Sequence, residues 1–159
     1  KIALEEHVTQ KLTEIKEETE SAFALYIIDL DNFKQVNDTL GHAFGDKVLC
    51  DAADCINRIF SMQDVLGRIG GDEFIALKDM ANVPLKEREE LIRKRAVLLC
   101  EDFCRTYMSQ NTSIKVSASV GVALYGVHGT TFHDLYRNAD KALYEAKNRG
   151  RNNCVIFHR

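Results

Sequence analysis

No stretch of this chain is apolar over enough residues to suggest a membrane span, and none has the layout of a signal peptide. Its five cysteines are an odd number without a CxxC pair, so neither a zinc ribbon nor a closed disulfide framework is indicated. Positive charge is not in excess. A net charge of −3 argues against a nucleic-acid binder held by bulk electrostatics. Repeats, low-complexity tracts and internal linkers are also missing. What remains is 159 residues of ordinary apolar content, read most simply as one domain, 1–159, with a real core.

Hydrophobic patterning predicts a helix over 1–19, a strand over 23–29, a short helix over 32–39 and a longer one over 46–61. A hairpin of strands 65–69 and 73–78 follows. The single proline, Pro84, starts a helix of about 86–108, striped with Leu91, Val97, Leu98, Phe103 and Tyr107. Cys100 and Cys104 fall one turn apart in that stripe and read as buried thiols, in keeping with a reducing cytosol. Ile114, Val116, Ala118, Val120 and Val122 alternate with Lys115, Ser117 and Ser119, which marks a strand. A helix over 131–149 and a strand near 153–157 close the domain, and the interleaving predicts an α/β sandwich.

Two acidic clusters carry the chemistry. In Gly70-Gly71-Asp72-Glu73-Phe74, two glycines leave the main chain bare beside adjacent carboxylates at a hairpin turn. Such a turn admits a large phosphorylated ligand and sets acids at its tip to hold a metal. Alone, it reads more readily as an ordinary acidic surface hairpin. The run Phe23–Ile28 lacks alternation, as in a strand covered on both faces, and it delivers Asp29-Leu30-Asp31 at its carboxyl end. Asn32, Lys34, Asn37, Asp38, Gly41-His42 and Gly45-Asp46 follow closely, a polar density that hydrophobic patterning does not explain.

These blocks, together with Arg68 and the segments Ala139–Lys147 and Gly150-Arg151-Asn152, resemble the GGDEF family of diguanylate cyclases in the family's own order. The resemblance covers nearly the whole chain. It sharpens the fold expectation to a ferredoxin-like, palm-type nucleotidyl cyclase core, a mixed central sheet flanked by helices. The upstream Asp-x-Leu-Thr-Gly-Leu-x-Asn-Arg segment usual in the family is absent, and Lys1–Glu6 reads as helix interior. The expectation is therefore an N-terminally truncated fragment of a longer protein. A sensory, receiver or membrane-anchored region would precede it, and the domain itself would be cytoplasmic.

The resemblance implies condensation of two GTP into cyclic di-GMP with Mg²⁺ or Mn²⁺, in a homodimer with one GTP per half-site. Asp29, Asp72 and the main-chain carbonyl of Leu30 are then the metal ligands, with Glu73 in support, and Asp72 also helps deprotonate the attacking hydroxyl. Lys34 would stabilise charge on the reacting phosphates, and Gly70 and Gly71 would let the nucleotide approach. Lys147 and Arg151 would meet the terminal phosphates, facing the same way if the helix reaches that far. Their alternative is a solvated basic helix end, since Arg137, Lys141 and Arg149 crowd the region. Asn37 and Asp46 match the guanine-recognition pair, in which a carboxylate accepts from a donor pair that adenine lacks. His42 lines the pocket or packs at a helix end, while His128 and His133 read as loop and surface residues.

One departure concerns the inhibitory Arg-x-x-Asp pattern before the hairpin. Here Ser61 stands in place of the arginine while Asp64 is retained, which predicts weak or missing product inhibition. The competing functional reading is a GGDEF domain that binds GTP as a regulatory module without turnover. Damage to the glycine-acid run or the first metal acid would mark such a module, and neither is damaged.

Overall fold

Strand β1 (Phe23–Asp31) is the centre of a mixed six-stranded sheet and explains the unbroken apolar run. The computed structural model describes residue 10, residues 22–61 and residues 64–158. The helix expected over 1–19 therefore lies, apart from Gln10, outside the described residues. Alternate residues of β1 serve two cores, as strand geometry requires. Ala24, Tyr26, Ile28 and Leu30 pack with helices α1 (Phe33–Leu40), α2 (His42–Ile59) and α3 (Leu85–Asp102). Phe23, Leu25 and Ile27 pack instead with Leu135, Ala139 and Leu143 of α4 (Phe132–Asn148).

The strand order is β2-β3-β1-β5-β4, with β6 (Cys154–Ile156) parallel to β5. Strands β2 (Val65–Gly70) and β3 (Glu73–Asp79) form the expected hairpin, and β5 (Thr112–Leu124) flanks β1 on its other side. Helix α4 lies directly on β5. A Cβ added at Gly121 would stand 2.1 Å from the Ala139 carbonyl oxygen and 2.3 Å from Leu143 N, so only glycine permits this approach. Among the described residues, no helix is long and apolar enough to cross a membrane.

Four expectations are corrected. The helix expected to reach residue 108 stops at Asp102, and β4 (Arg105–Ser109) turns back through Gln110 (φ 50°) to pair with β5. Phe103 and Tyr107 do lie four apart, but Tyr107 sits opposite Ile114 across the hairpin and donates to Asp51 at 2.8 Å. Strand pairing won over a spacing that fits both periods. Helix α3 also buries Ile92, Ala96, Leu99 and Cys100, while Val97 and Leu98 face outward. Cys104 lies beyond the helix and is half-buried, so the two thiols share no helical stripe. Finally, His128 is buried rather than superficial: its Nδ1 accepts from Leu124 N at 3.0 Å and its ring meets Phe157 edge-on.

Candidate active site

Three pieces of chain distant in sequence meet at the carboxyl end of β1. Register places Asp29 opposite Glu73, and Leu30 N donates to the Asp72 carbonyl oxygen at 3.2 Å, which docks the hairpin tip against the strand end. Gly71 turns the tip at φ 45°, and Arg68 Nε donates to its carbonyl at 3.0 Å across a register shift. From the far face, α4 delivers Lys147, whose Nζ lies 2.9 Å from Asp29 Oδ2.

The electrostatics of Asp29 follow from this crowding. Burial raises its carboxyl above the ordinary carboxylate range, the Lys147 hydrogen bond and charge pull it down, and the charges of Asp72 and Asp31 push it up again. An acid so placed favours a cation beside it.

The other acids have different partners. Glu73 Oε1 accepts from the Tyr136 hydroxyl at 2.8 Å. Asp31 is turned into the protein, where Ser117 Oγ and Ser119 Oγ donate to it at 2.7 and 2.8 Å. Among the described residues no three His, Cys, Asp or Glu side chains gather at metal-binding spacing. A divalent ion here would be held by Asp29 and Asp72 with the Leu30 carbonyl. That set of hard oxygens suits Mg²⁺ or Mn²⁺, and the ammonium beside Asp29 marks the position as one that accepts positive charge.

Helices α1 and α2 carry the other residues expected at the site. They meet at Gly41 (φ 90°), with exposed His42 opening α2. Lys34 is exposed in the first turn of α1, close in sequence to the strand end. A Cβ at Gly45 would stand 1.9 Å from Asn37 Oδ1, so the glycine makes room for that amide beside Asp46. Asp46 itself is exposed.

The condition for Lys147 and Arg151 to share one helical face, a helix that reaches residue 151, is not met. Helix α4 ends at Asn148, and Arg151 stands on a left-handed turn beyond it. Both cations nevertheless point to β1 acids, Arg151 Nε lying 4.0 Å from Asp31 Oδ1. Among their neighbours, Arg137 pairs with Asp134 and Arg149 with Glu145, which makes them parts of a solvated helix surface.

Before the hairpin, Asp64 is not displayed to a ligand. Its Oδ1 pairs with Lys78 Nζ at 2.9 Å, and its Oδ2 accepts from Ser61 N and Ser61 Oγ at 2.8 and 2.9 Å.

Sequence reasoning assigned no site role to Asp31, Tyr136 or Lys78. The signal for Asp31 was available in β5, where Ser117 and Ser119 alternate with apolar residues. Both are buried, and their register partners on β1 are Asp31 and Asp29.

Comparison with known proteins agrees with this architecture. A family model described as diguanylate cyclase, GGDEF domain, matches residues 1–153. The bifunctional diguanylate cyclase/cyclic di-GMP phosphodiesterase MucR of Pseudomonas aeruginosa is 40% identical over 135 residues, covering 85% of this chain and 19% of that protein. A diguanylate cyclase of Vibrio cholerae is 38% identical over 131 residues, covering 82% of this chain and 38% of that protein. The chain thus spans well under half the length of these relatives. Among solved structures, the GGDEF domain of YfiN (TpbB) from Pseudomonas aeruginosa superimposes with a TM-score of 0.84 at 31% identity, covering 100% of this chain and 96% of that one. The active GGEEF domain of a diguanylate cyclase from Vibrio cholerae gives 0.80 at 30% identity, covering 100% and 97%. Matched along nearly all its length, this chain belongs to the GGDEF family of diguanylate cyclase domains.

Proposed function

We propose that this domain condenses two GTP molecules into cyclic di-GMP and releases two pyrophosphates. The observation that carries the reading is the meeting of Asp29 and Asp72, from distant parts of the chain, at one corner faced by Lys147. Each step is an attack by a ribose 3′-hydroxyl on an α-phosphorus, with pyrophosphate leaving. Phosphate charge and a weak nucleophile are the obstacles. A Mg²⁺ or Mn²⁺ ion held by Asp29, Asp72 and the Leu30 carbonyl supplies charge neutralisation at the reacting phosphate.

The chain's own groups do the rest. Asp72 accepts the hydroxyl proton, and Glu73 supports the acidic turn. Lys34 stabilises charge on the reacting phosphates, while Lys147 and Arg151 hold the terminal ones. Gly70 and Gly71 let the nucleotide lie against the main chain. Asn37 and Asp46 select guanine, with His42 at the rim. A single domain holds one GTP, so two copies must face each other for attack to occur, and catalysis belongs to the homodimer. The upstream sensory or receiver region of the longer protein would bring the copies together, in the cytoplasmic compartment that holds GTP.

The deciding experiment incubates the domain with GTP and Mg²⁺ or Mn²⁺, alone and fused to a dimeriser, and identifies the product by chromatography. Cyclic di-GMP formed with a rate per chain that climbs with concentration supports the reading. GTP binding without product even after enforced dimerisation assigns the domain as a regulatory GTP-binding module instead.

A further inference from the structure

Asp31 lies two residues beyond the first metal acid, yet it is buried and bonded within the protein. It is 3% exposed and accepts from Ser117 Oγ at 2.7 Å and from Ser119 Oγ at 2.8 and 3.0 Å. Its remaining polar contacts come from a segment more than a hundred residues away. Asn152 N donates to Asp31 Oδ2 at 3.1 Å, and Arg151 Nε lies 4.0 Å from Oδ1.

That segment has an uncommon backbone. Gly150, Arg151 and Asn152 have φ of 108°, 63° and 48°, so three successive residues are left-handed and two of them carry side chains. L residues enter this region only when surrounding contacts hold them there. Asn153 Nδ2 ties the turn to the end of α4 through the carbonyls of Ala146 and Arg151, at 2.9 and 2.8 Å. Among the described residues, Asp31 ties it to β1 by accepting from Asn152 N. The side chain displayed by the turn is Arg151, which is 59% exposed and so keeps most of its donors for a ligand.

We propose that Asp31 is a positioning residue, a buried carboxylate that anchors the turn 150–152 to β1 and thereby aims Arg151 at the terminal phosphates of the nucleotide. The inference rests on the reading of Arg151 as a phosphate contact. Asp31 and Asp29 then divide one strand end between them: the first fixes the phosphate grip, and the second holds the ion.

The test is calorimetric binding of GTP, GMP and inorganic tripolyphosphate, each with Mg²⁺, to the wild type and to Asp31→Asn, Arg151→Ala and the double variant. Asp31→Asn keeps the size of the side chain and removes its charge. It should weaken GTP and tripolyphosphate by about tenfold or more, the usual scale for losing a group that orients a ligand contact. GMP, which lacks the terminal phosphates, should bind as before. The double variant should lose little beyond Arg151→Ala, because both changes act through one contact. Equal weakening of all three ligands, no weakening, or full additivity in the double variant overturns the proposal. If Arg151→Ala leaves tripolyphosphate binding intact, it is the phosphate role of Arg151 that fails. Should Asp31→Asn not fold, Ser119→Ala removes one of the clamps on Asp31 and should show the same selective loss to a smaller degree. An unselective effect or none from Ser119→Ala overturns the proposal equally.

Discussion

Lys147 Nζ sits 2.9 Å from Asp29 Oδ2 and so serves as counter-ion to the acid assigned to the metal. In the proposed catalytic cycle the same ammonium belongs to the terminal phosphates. On that reading a metal ion and the lysine would compete for Asp29, and the nucleotide would draw the lysine away. Lys147→Met should tighten binding of Mn²⁺ alone while weakening GTP, each by about tenfold, the change worth ~1.4 kcal/mol. Electron paramagnetic resonance of free Mn²⁺ and calorimetry with GTP measure the two effects. Effects of the same sign would show that the pairing has no bearing on the ion.

Gly45→Ala tests guanine recognition without touching a charged group. The new methyl would overlap Asn37 Oδ1, 1.9 Å from the Cβ position, and force that amide out of place. The expected result is a loss of preference for GTP over ATP, with KM for GTP rising about tenfold or more, while thermal stability falls by ~1–3 kcal/mol from overpacking. Steady-state kinetics with both nucleotides check it, and unchanged discrimination would detach Asn37 from base selection.

Product inhibition should be weak. Asp64 is held by Ser61 and Lys78, in a pair whose side chains are 0% and 13% exposed, and Ser61 lacks the forked charge that grips a guanine or phosphate. Initial rates should change little with added cyclic di-GMP, and Ser61→Arg alone should not restore inhibition while Lys78 keeps the carboxylate. Strong noncompetitive inhibition that disappears in Asp64→Ala is the contrary result. The same variant leaves Lys78 without its buried partner, and denaturant unfolding should register a loss of about 3 kcal/mol.

Thiol reactivity should rank by environment. Burial pushes the Cys55 thiol up to about 12, helped by a hydrogen bond with Asp102, and burial likewise pushes Cys100 up to about 12. Cys50 is exposed on α2. Iodoacetamide near neutral pH should modify Cys50 first and spare Cys55 and Cys100 until the protein unfolds. Mass spectrometry of labelled peptides reads the order, and early labelling of Cys55 or Cys100 would contradict the packing.

The sequence displays the sheet centre and the acidic corner because both are written in local runs. Phe23–Ile28 has no alternation, and the paired glycines before Asp72 mark a hairpin turn, with Gly71 lying outside both strands. The β4 strand was hidden because Phe103 and Tyr107 satisfy a helical spacing while the partner of Tyr107, Ile114, lies across a turn. The roles of Ser117 and Ser119 were hidden for a related reason. Alternation tells which residues share a face but not whether that face meets water or a buried acid. Arg151 shows the same limit: its alignment with Lys147 depended on a helix reaching residue 151, and a left-handed turn carries it instead.

Gly121 brings the backbone of α4 into contact with β5 with no side chain between them. The helix that bears Lys147 is thereby fixed in height and rotation against the strands that bear the acids, and it cannot ratchet along the sheet without a collision of main chains. On the proposed two-copy mechanism, control from outside would act by changing how often two such domains encounter one another, leaving the interior of each as it was.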